Sequence, residues 1–141
     1  MSFREALTRT LKFLFPPNDI TVENYGRFAM TDNDKYFGRM NDPTSASRIQ
    51  GPCGDSMEFY LVIKDDVIDD VKYYTEGCEN TKACGYAVAR RIRGKTIVNA
   101  LSTSPGEIIM SGECQPEEGR HCAILAVSTM YRAVADYLLM P

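Results

Sequence analysis

The fold is decided by residues 57–75, which read MEFYLVIKDDVIDDVKYYT. Apolar side chains alternate with others over 57–63, the period of a strand with one buried face. Residues 64–66 interrupt this pattern, and a second strand is predicted over about 67–76, with one face formed by Val71, Tyr73 and Thr75. Because so short a connection joins antiparallel neighbours, the sheet is predicted to be antiparallel at least at this hairpin.

The flanking sequence adds one edge strand before the hairpin and several helices after it. The edge strand is predicted near residues 45–50. Helical periodicity runs over about 80–93 and again over about 120–139, where it predicts a long amphipathic helix. Two short helices are predicted between them, capped by Thr96 and Ser104. Strands followed by helices indicate an α+β fold with a small sheet of about three strands and helices packed on it.

The first residues form a separate feature. Ser2 begins a capping box, and apolar residues then follow a helical stripe until Pro16 and Pro17 end it. We predict an N-terminal helix and linker over 1–19, either docked on the domain or available to a partner. The whole chain, 1–141, is predicted to be a single domain.

Composition excludes several classes of protein. The chain has 141 residues, of which 44% are hydrophobic and 25% charged, and its net charge is −3. These values are typical of one soluble globular domain, and no apolar run reaches the length of a membrane span. The basic residues over 90–95 are expected at the C-terminal end of a helix, where positive charges interact favourably with the helix dipole. This explanation is favoured over a nucleic-acid-binding surface because the net charge is negative. Neither a nucleic acid nor a membrane is an expected partner.

The cysteines indicate the compartment. There are five, an odd number, and no two form a C-x-x-C pair. No secretory signal is recognisable before the first of them. A disulfide framework is therefore not expected. The cysteines instead indicate a reducing, cytoplasmic location.

Three cysteine-containing segments carry the chemistry. Cys53 lies in a glycine-rich loop before the first strong strand, Cys78 follows the hairpin, and Cys122 opens the last helix. Thiols at helix N-termini are favoured as thiolates, the form that binds metal. Asp55 adds an oxygen donor and His121 a nitrogen donor. Three thiolates with one further donor suit zinc or iron.

Other interpretations remain open at this point. Cys84 and Cys114 are predicted to be small buried thiols without a ligand role. A Cys/His-dependent enzyme would need His121 to activate a thiol, although adjacent residues on a helix diverge and no third orienting group is recognisable. A zinc-binding protein with a structural or regulatory role uses the same residues.

Four short motifs occur in a fixed order: PCGD at 52–55, YTEGC at 74–78, GKT at 94–96 and HC at 121–122. Together they resemble the IscU/NifU N-terminal-type iron–sulfur cluster assembly scaffold. The resemblance extends over residues 24–138 and includes the intervening hairpin and helices. It implies a scaffold that is not an enzyme.

The resemblance also implies a cargo and partners. A transient [2Fe–2S] cluster would be assembled on Cys53, Cys78 and Cys122, with Asp55 or His121 as the remaining ligand. Zinc would bind in the same pocket when no cluster is present. A cysteine desulfurase would supply sulfur, with Cys122 as persulfide acceptor, and apo iron–sulfur proteins would receive the cluster. Both a monomer and a homodimer are compatible with the sequence.

One segment departs from the family pattern. Residues 115–119 read QPEEG where the family usually has L-P-P-V-K, the segment that its dedicated chaperone recognises. Docking of that chaperone is therefore expected to be weak or absent. Glu79, Asn80 and Thr81 replace the small residues that normally follow the Gly-Cys pair in the family, and they are expected to alter access to the pocket.

Overall fold

A computed structural model describes residues 35–52, 54–114 and 119–140. In these residues three strands form one antiparallel sheet in the order β1-β2-β3, followed by four helices. The bounds are β1 Ser45–Gln50, β2 Ser56–Lys64, β3 Val67–Thr75, α1 Glu79–Ile92, α2 Ile97–Leu101, α3 Pro105–Met110 and α4 Arg120–Leu138. The predicted fold class is confirmed. The N-terminal helix and linker predicted over residues 1–19 lie outside the described residues.

The β2–β3 hairpin closes through a two-residue turn. Asp65 and Asp66 have φ angles of 53° and 60°, so both adopt the left-handed conformation. Aspartate tolerates this conformation better than most residues, and successive left-handed residues match the twist of the flanking strands. Tyr137 donates a 2.9 Å hydrogen bond to Asp66, which ties the turn to the end of α4.

One face of the sheet forms the core. Phe59 lies opposite Tyr73 and Leu61 opposite Val71, and all four side chains are fully buried. A register shift between Val62 and Ile63 then brings Ile63 opposite a buried isoleucine, Ile68. The bulge therefore keeps the buried face apolar to the end of the hairpin although the alternation changes parity.

Helices α1 and α4 cover this face and pack against each other. Helix α1 lies mainly against β3, and α4 lies against β1 and β2. Helices α2 and α3 begin as predicted. The Thr96 hydroxyl accepts a hydrogen bond from the backbone N–H of Asn99, and the Ser104 hydroxyl accepts one from the backbone N–H of Glu107. Among the helices of the part of the chain that the structure describes, none has the length and hydropathy of a membrane span.

Candidate metal centre

The site lies at the end of the sheet opposite the hairpin turn. Asp55 directly precedes β2 and Cys78 follows β3, and pairing of Met57 with Thr75 brings these two segments side by side. Cys122 lies in the first turn of α4, which packs over the same strands. One ligand atom from each of Asp55, Cys78 and Cys122 lies within 4.8 Å of the other two. Three donors distant in sequence thus converge.

The hairpin ends are held together by one threonine. Thr75 donates a 2.6 Å hydrogen bond to the carbonyl of Ser56 and accepts one of 2.9 Å from the backbone N–H of Gly77. The first bond joins the end of β3 to the start of β2, and the second fixes the chain just before Cys78. Thr75 is buried, so water competes little for these bonds.

Cys78 is the exposed thiol of the group. It is the N-cap residue of α1, where its backbone is extended. Hydrogen bonding to the Thr81 side chain lowers the pKa of Cys78, and the backbone N–H groups of Thr81 and Asn80 lower it further, whereas burial and the charge of Asp55 act in the opposite direction. The free N–H groups of a helix N-terminus therefore favour the thiolate here.

Cys122 is the buried thiol of the group, with 4% of its surface exposed. It is the third residue of α4, a helix that has no acidic residue in its first turn. Its Sγ lies 3.4 Å from Oγ1 of Thr81. The helix N-terminus supplies a favourable potential for a thiolate at this position.

A single hydroxyl contacts all three donors. Thr81 donates a 2.7 Å hydrogen bond to Oδ2 of Asp55, and its Oγ1 lies 3.4 Å from the Sγ atoms of both Cys78 and Cys122. The sequence singled out Thr81 only as a change in access to the pocket. The signal that could have identified it is its spacing from Cys78, because the N-cap and N3 side chains of a helix meet.

The other predicted ligands have different outcomes. Cys53 lies outside the described residues. Gly51 precedes it and Asp55 follows it, and the backbone N–H of Gly51 donates a 2.7 Å hydrogen bond to the carbonyl of Asp55. His121 is exposed and does not belong to the group of three donors. Assignment of any of the five residues as a ligand stays a prediction.

Cys84 and Cys114 are both buried, as predicted. Cys84 Sγ lies 3.9 Å from the carbonyl oxygen of Gly119, and Cys114 Sγ lies 3.8 Å from that of Ile108. Hydrogen bonding with Cys114, then burial, raises the pKa of Cys84 far above its usual range. A thiol that stays protonated is a poor metal ligand.

Gly77 provides the space in which the carboxylate lies. A Cβ atom added to Gly77 would lie 2.9 Å from both Cγ and Oδ2 of Asp55, and 3.0 Å from Cβ of Thr81. Such distances are shorter than van der Waals contact, so any larger residue at this position displaces Asp55 or Thr81.

Gly77→Ala is therefore expected to weaken Zn²⁺ binding by roughly tenfold or more, the effect typical of disturbing the support of a metal ligand. Competition with a chromophoric chelator measures this affinity. The control is Gly106→Ala, because the added Cβ would lie no closer than 3.8 Å to Ser104. Unchanged affinity in Gly77→Ala would contradict the packing argument.

The comparisons with known proteins identify the family. The protein-family model described as NifU-like N terminal domain matches residues 27–140. The chain belongs to this family. The resemblance read from the four motifs is thus confirmed, and the match covers every described residue from 35 to 140.

Curated relatives agree with membership of the NifU-like family. The chain is 31% identical over 106 residues to iron–sulfur cluster assembly scaffold protein IscU 1 of Archaeoglobus fulgidus, covering 74% of this chain and 69% of the relative. It is 30% identical over 110 residues to IscU of Aquifex aeolicus, covering 76% and 70%. For IscU of Escherichia coli K12, identity is 29% over 115 residues, covering 81% and 83%.

Solved structures share the fold of this NifU-like chain. An iron–sulfur cluster assembly scaffold protein for the SUF system from Fervidobacterium islandicum has a TM-score of 0.66 at 21% identity, covering 82% of this chain and 96% of that chain. A NifU-like protein from Brucella abortus has a TM-score of 0.51 at 22% identity, covering 86% and 87%.

Proposed function

We propose that this chain is a scaffold on which a transient [2Fe–2S] cluster is assembled and from which it passes to apo-proteins. The observation that carries the proposal is the convergence of Asp55, Cys78 and Cys122 in a member of the NifU-like family. Two thiolates match the soft iron–sulfide cargo, and the carboxylate oxygen matches it poorly. A donor set of this kind suits release better than permanent storage.

The remaining ligand and the sulfur source extend the proposal. Cys53 supplies the third thiolate, and His121 is the alternative to Asp55 as the fourth donor. A cysteine desulfurase delivers sulfur as a persulfide. The Cys122 thiolate attacks the outer sulfur, the sulfur–sulfur bond of the donor breaks, and the desulfurase cysteine leaves as a thiolate. Reduction of the transferred sulfur to sulfide takes two electrons from an external reductant.

Access constrains the persulfide step. Cys122 is buried whereas Cys78 is exposed, so delivery to Cys122 requires the site to open while the desulfurase is bound. We propose a cytoplasmic location for these steps, and acceptor iron–sulfur proteins as the further partners. The curated relatives described above are named as assembly scaffolds, and the proposed role is likewise not that of an enzyme.

Anaerobic reconstitution tests the function. The protein is incubated with ferrous iron, cysteine, a cysteine desulfurase and dithiothreitol as the external reductant, desalted, and then mixed with an apo-ferredoxin. We expect visible charge-transfer bands that survive desalting, followed by the circular dichroism of the loaded ferredoxin. A colourless protein that binds Zn²⁺ would instead support the zinc-only alternative, which the same donors allow.

Asp55→Ala is expected to slow cluster transfer in this assay while the cluster stays bound. The carboxylate is the hard donor among soft ones, so its position is the one at which an acceptor thiol enters most readily. The rate of ferredoxin loading measures the effect, with Asp69→Ala as a control, because Asp69 is an exposed residue of β3 that forms an ion pair with Lys64 near the hairpin turn. Faster transfer from Asp55→Ala would contradict the role given to this ligand.

A further inference from the structure

Thr81, in the first turn of α1, has its hydroxyl group inside the candidate site. Its side chain is fully buried, yet its hydroxyl is surrounded by the three candidate ligands. A buried hydroxyl is stabilised by hydrogen bonds, and here those partners are the groups that would hold the cargo. Any change at Thr81 thus acts directly on the site.

The shortest of the three contacts identifies the group on which Thr81 acts. A hydroxyl has one proton, and an ionised carboxylate can only accept. The 2.7 Å bond to Oδ2 of Asp55 is therefore donated by Thr81. The two 3.4 Å contacts to sulfur are longer.

We propose that Thr81 is a positioning residue that orients the Asp55 carboxylate toward the bound metal. This inference rests on the proposed function. Residues that hydrogen-bond to a metal ligand fix the orientation of that ligand. Their removal typically lowers metal affinity by about 10–100-fold. Gly77 completes the arrangement, because the absence of a side chain there lets Asp55 and Thr81 meet. Asp55, Thr81 and Gly77 thus act as one unit on the metal, although only Asp55 is a ligand.

Three variants separate positioning from simple packing, with Zn²⁺ as the probe in chelator competition. Thr81→Val keeps the shape but puts a methyl group where the hydroxyl donates, so Asp55 moves away. Its affinity for Zn²⁺ is expected to fall about 10–100-fold. Thr81→Ser keeps the hydroxyl and is expected to restore most of the affinity. Thr129→Val is the matched control, since Thr129 is a buried helical threonine whose hydroxyl donates to the carbonyl of Leu125.

A double-mutant cycle tests whether the effect passes through Asp55. In an Asp55→Ala background, Thr81→Val is expected to cause a much smaller further loss of Zn²⁺ affinity, the part that passes through the contacts of Thr81 with Cys78 and Cys122. The proposal is overturned if Thr81→Val binds Zn²⁺ like the wild type, if Thr81→Ser loses as much as Thr81→Val, or if the loss is equal in both backgrounds. If Asp55→Ala alone abolishes Zn²⁺ binding, the comparison of Thr81→Val with Thr81→Ser decides whether Thr81 has a positioning role.

The scaffold proposal and this one fail differently. A wild-type protein that binds Zn²⁺ but assembles no cluster would end the scaffold proposal and leave the Thr81 measurements intact. A wild-type protein that assembles and transfers a cluster, with Thr81→Val equal to it in Zn²⁺ affinity, would end only the positioning role.

Discussion

Replacement of Cys122 by serine is expected to reduce the cluster retained after reconstitution by roughly tenfold or more, and Cys78→Ser is expected to do the same. Loss of a direct ligand costs at least as much affinity as loss of its supporting partner, which alone costs about 10–100-fold. Both thiols lie within 4.8 Å of the Asp55 carboxylate. Bound iron and acid-labile sulfide per protein, measured after desalting, give the result.

Cys84→Ser is the matched control for these two variants. Cys84 is a buried thiol of α1, and its Sγ contacts the carbonyl of Gly119 instead of the three donors. Serine there buries a hydroxyl at a cost of about 1–3 kcal/mol, so thermal unfolding is followed in parallel. Cluster content is expected to stay at the wild-type level. Equal cluster loss in Cys84→Ser and Cys122→Ser would refute the ligand assignment.

Gly85→Ala is expected to destabilise the fold through a steric contact in the core. Gly85 lies in α1, and a Cβ there would be 2.5 Å from Cδ2 and 2.8 Å from Cε2 of the buried Tyr73 ring. Alanine favours the helix by about 1 kcal/mol over glycine. Overpacking a core costs up to about 3 kcal/mol. The free energy of unfolding is therefore expected to fall by about 2 kcal/mol.

Urea denaturation of the wild type, Gly85→Ala and Gly106→Ala checks this expectation. Gly106 lies in α3, where an added Cβ would make an ordinary van der Waals contact, 3.8 Å from Oγ of Ser104. Alanine at that position is expected to leave stability unchanged or to raise it by up to about 1 kcal/mol. Opposite signs from the same substitution would isolate the contact with Tyr73. A Gly85→Ala protein as stable as the wild type would show that α1 can move off the sheet at little cost.

Local patterns in the sequence were sufficient for the fold. Alternation over residues 57–63 predicted β2 to within one residue, and the predicted edge strand coincides with β1 at Ser45–Gln50. Caps at Thr96 and Ser104 located two short helices. The bulge at Val62 and Ile63 was not predicted, because it depends on which residue of the partner strand must be buried.

The site was predictable only in part, for a different reason. Residue types at helix starts pointed to Cys78 and Cys122, and a loop motif pointed to Asp55. The distances among them follow from strand register and from how α4 packs, which no local pattern contains. Thr81 shows the limit most clearly, since a threonine in a first helical turn is common. Its importance becomes visible only when the carboxylate of Asp55 is found 2.7 Å away.

The length of the hairpin separates the carboxylates at its turn from the candidate metal site at its other end. The acidic turn at Asp65 and Asp66 lies ten residues along the strand from Asp55, a distance of about 30 Å. Electrostatic interactions are screened over about 8 Å at physiological ionic strength. Carboxylates at the turn therefore contribute almost nothing to the potential at the thiols. An anionic iron–sulfide species approaching the opposite end meets the N-termini of α1 and α4, with Asp55 and Glu79 beside them, and not the acidic turn.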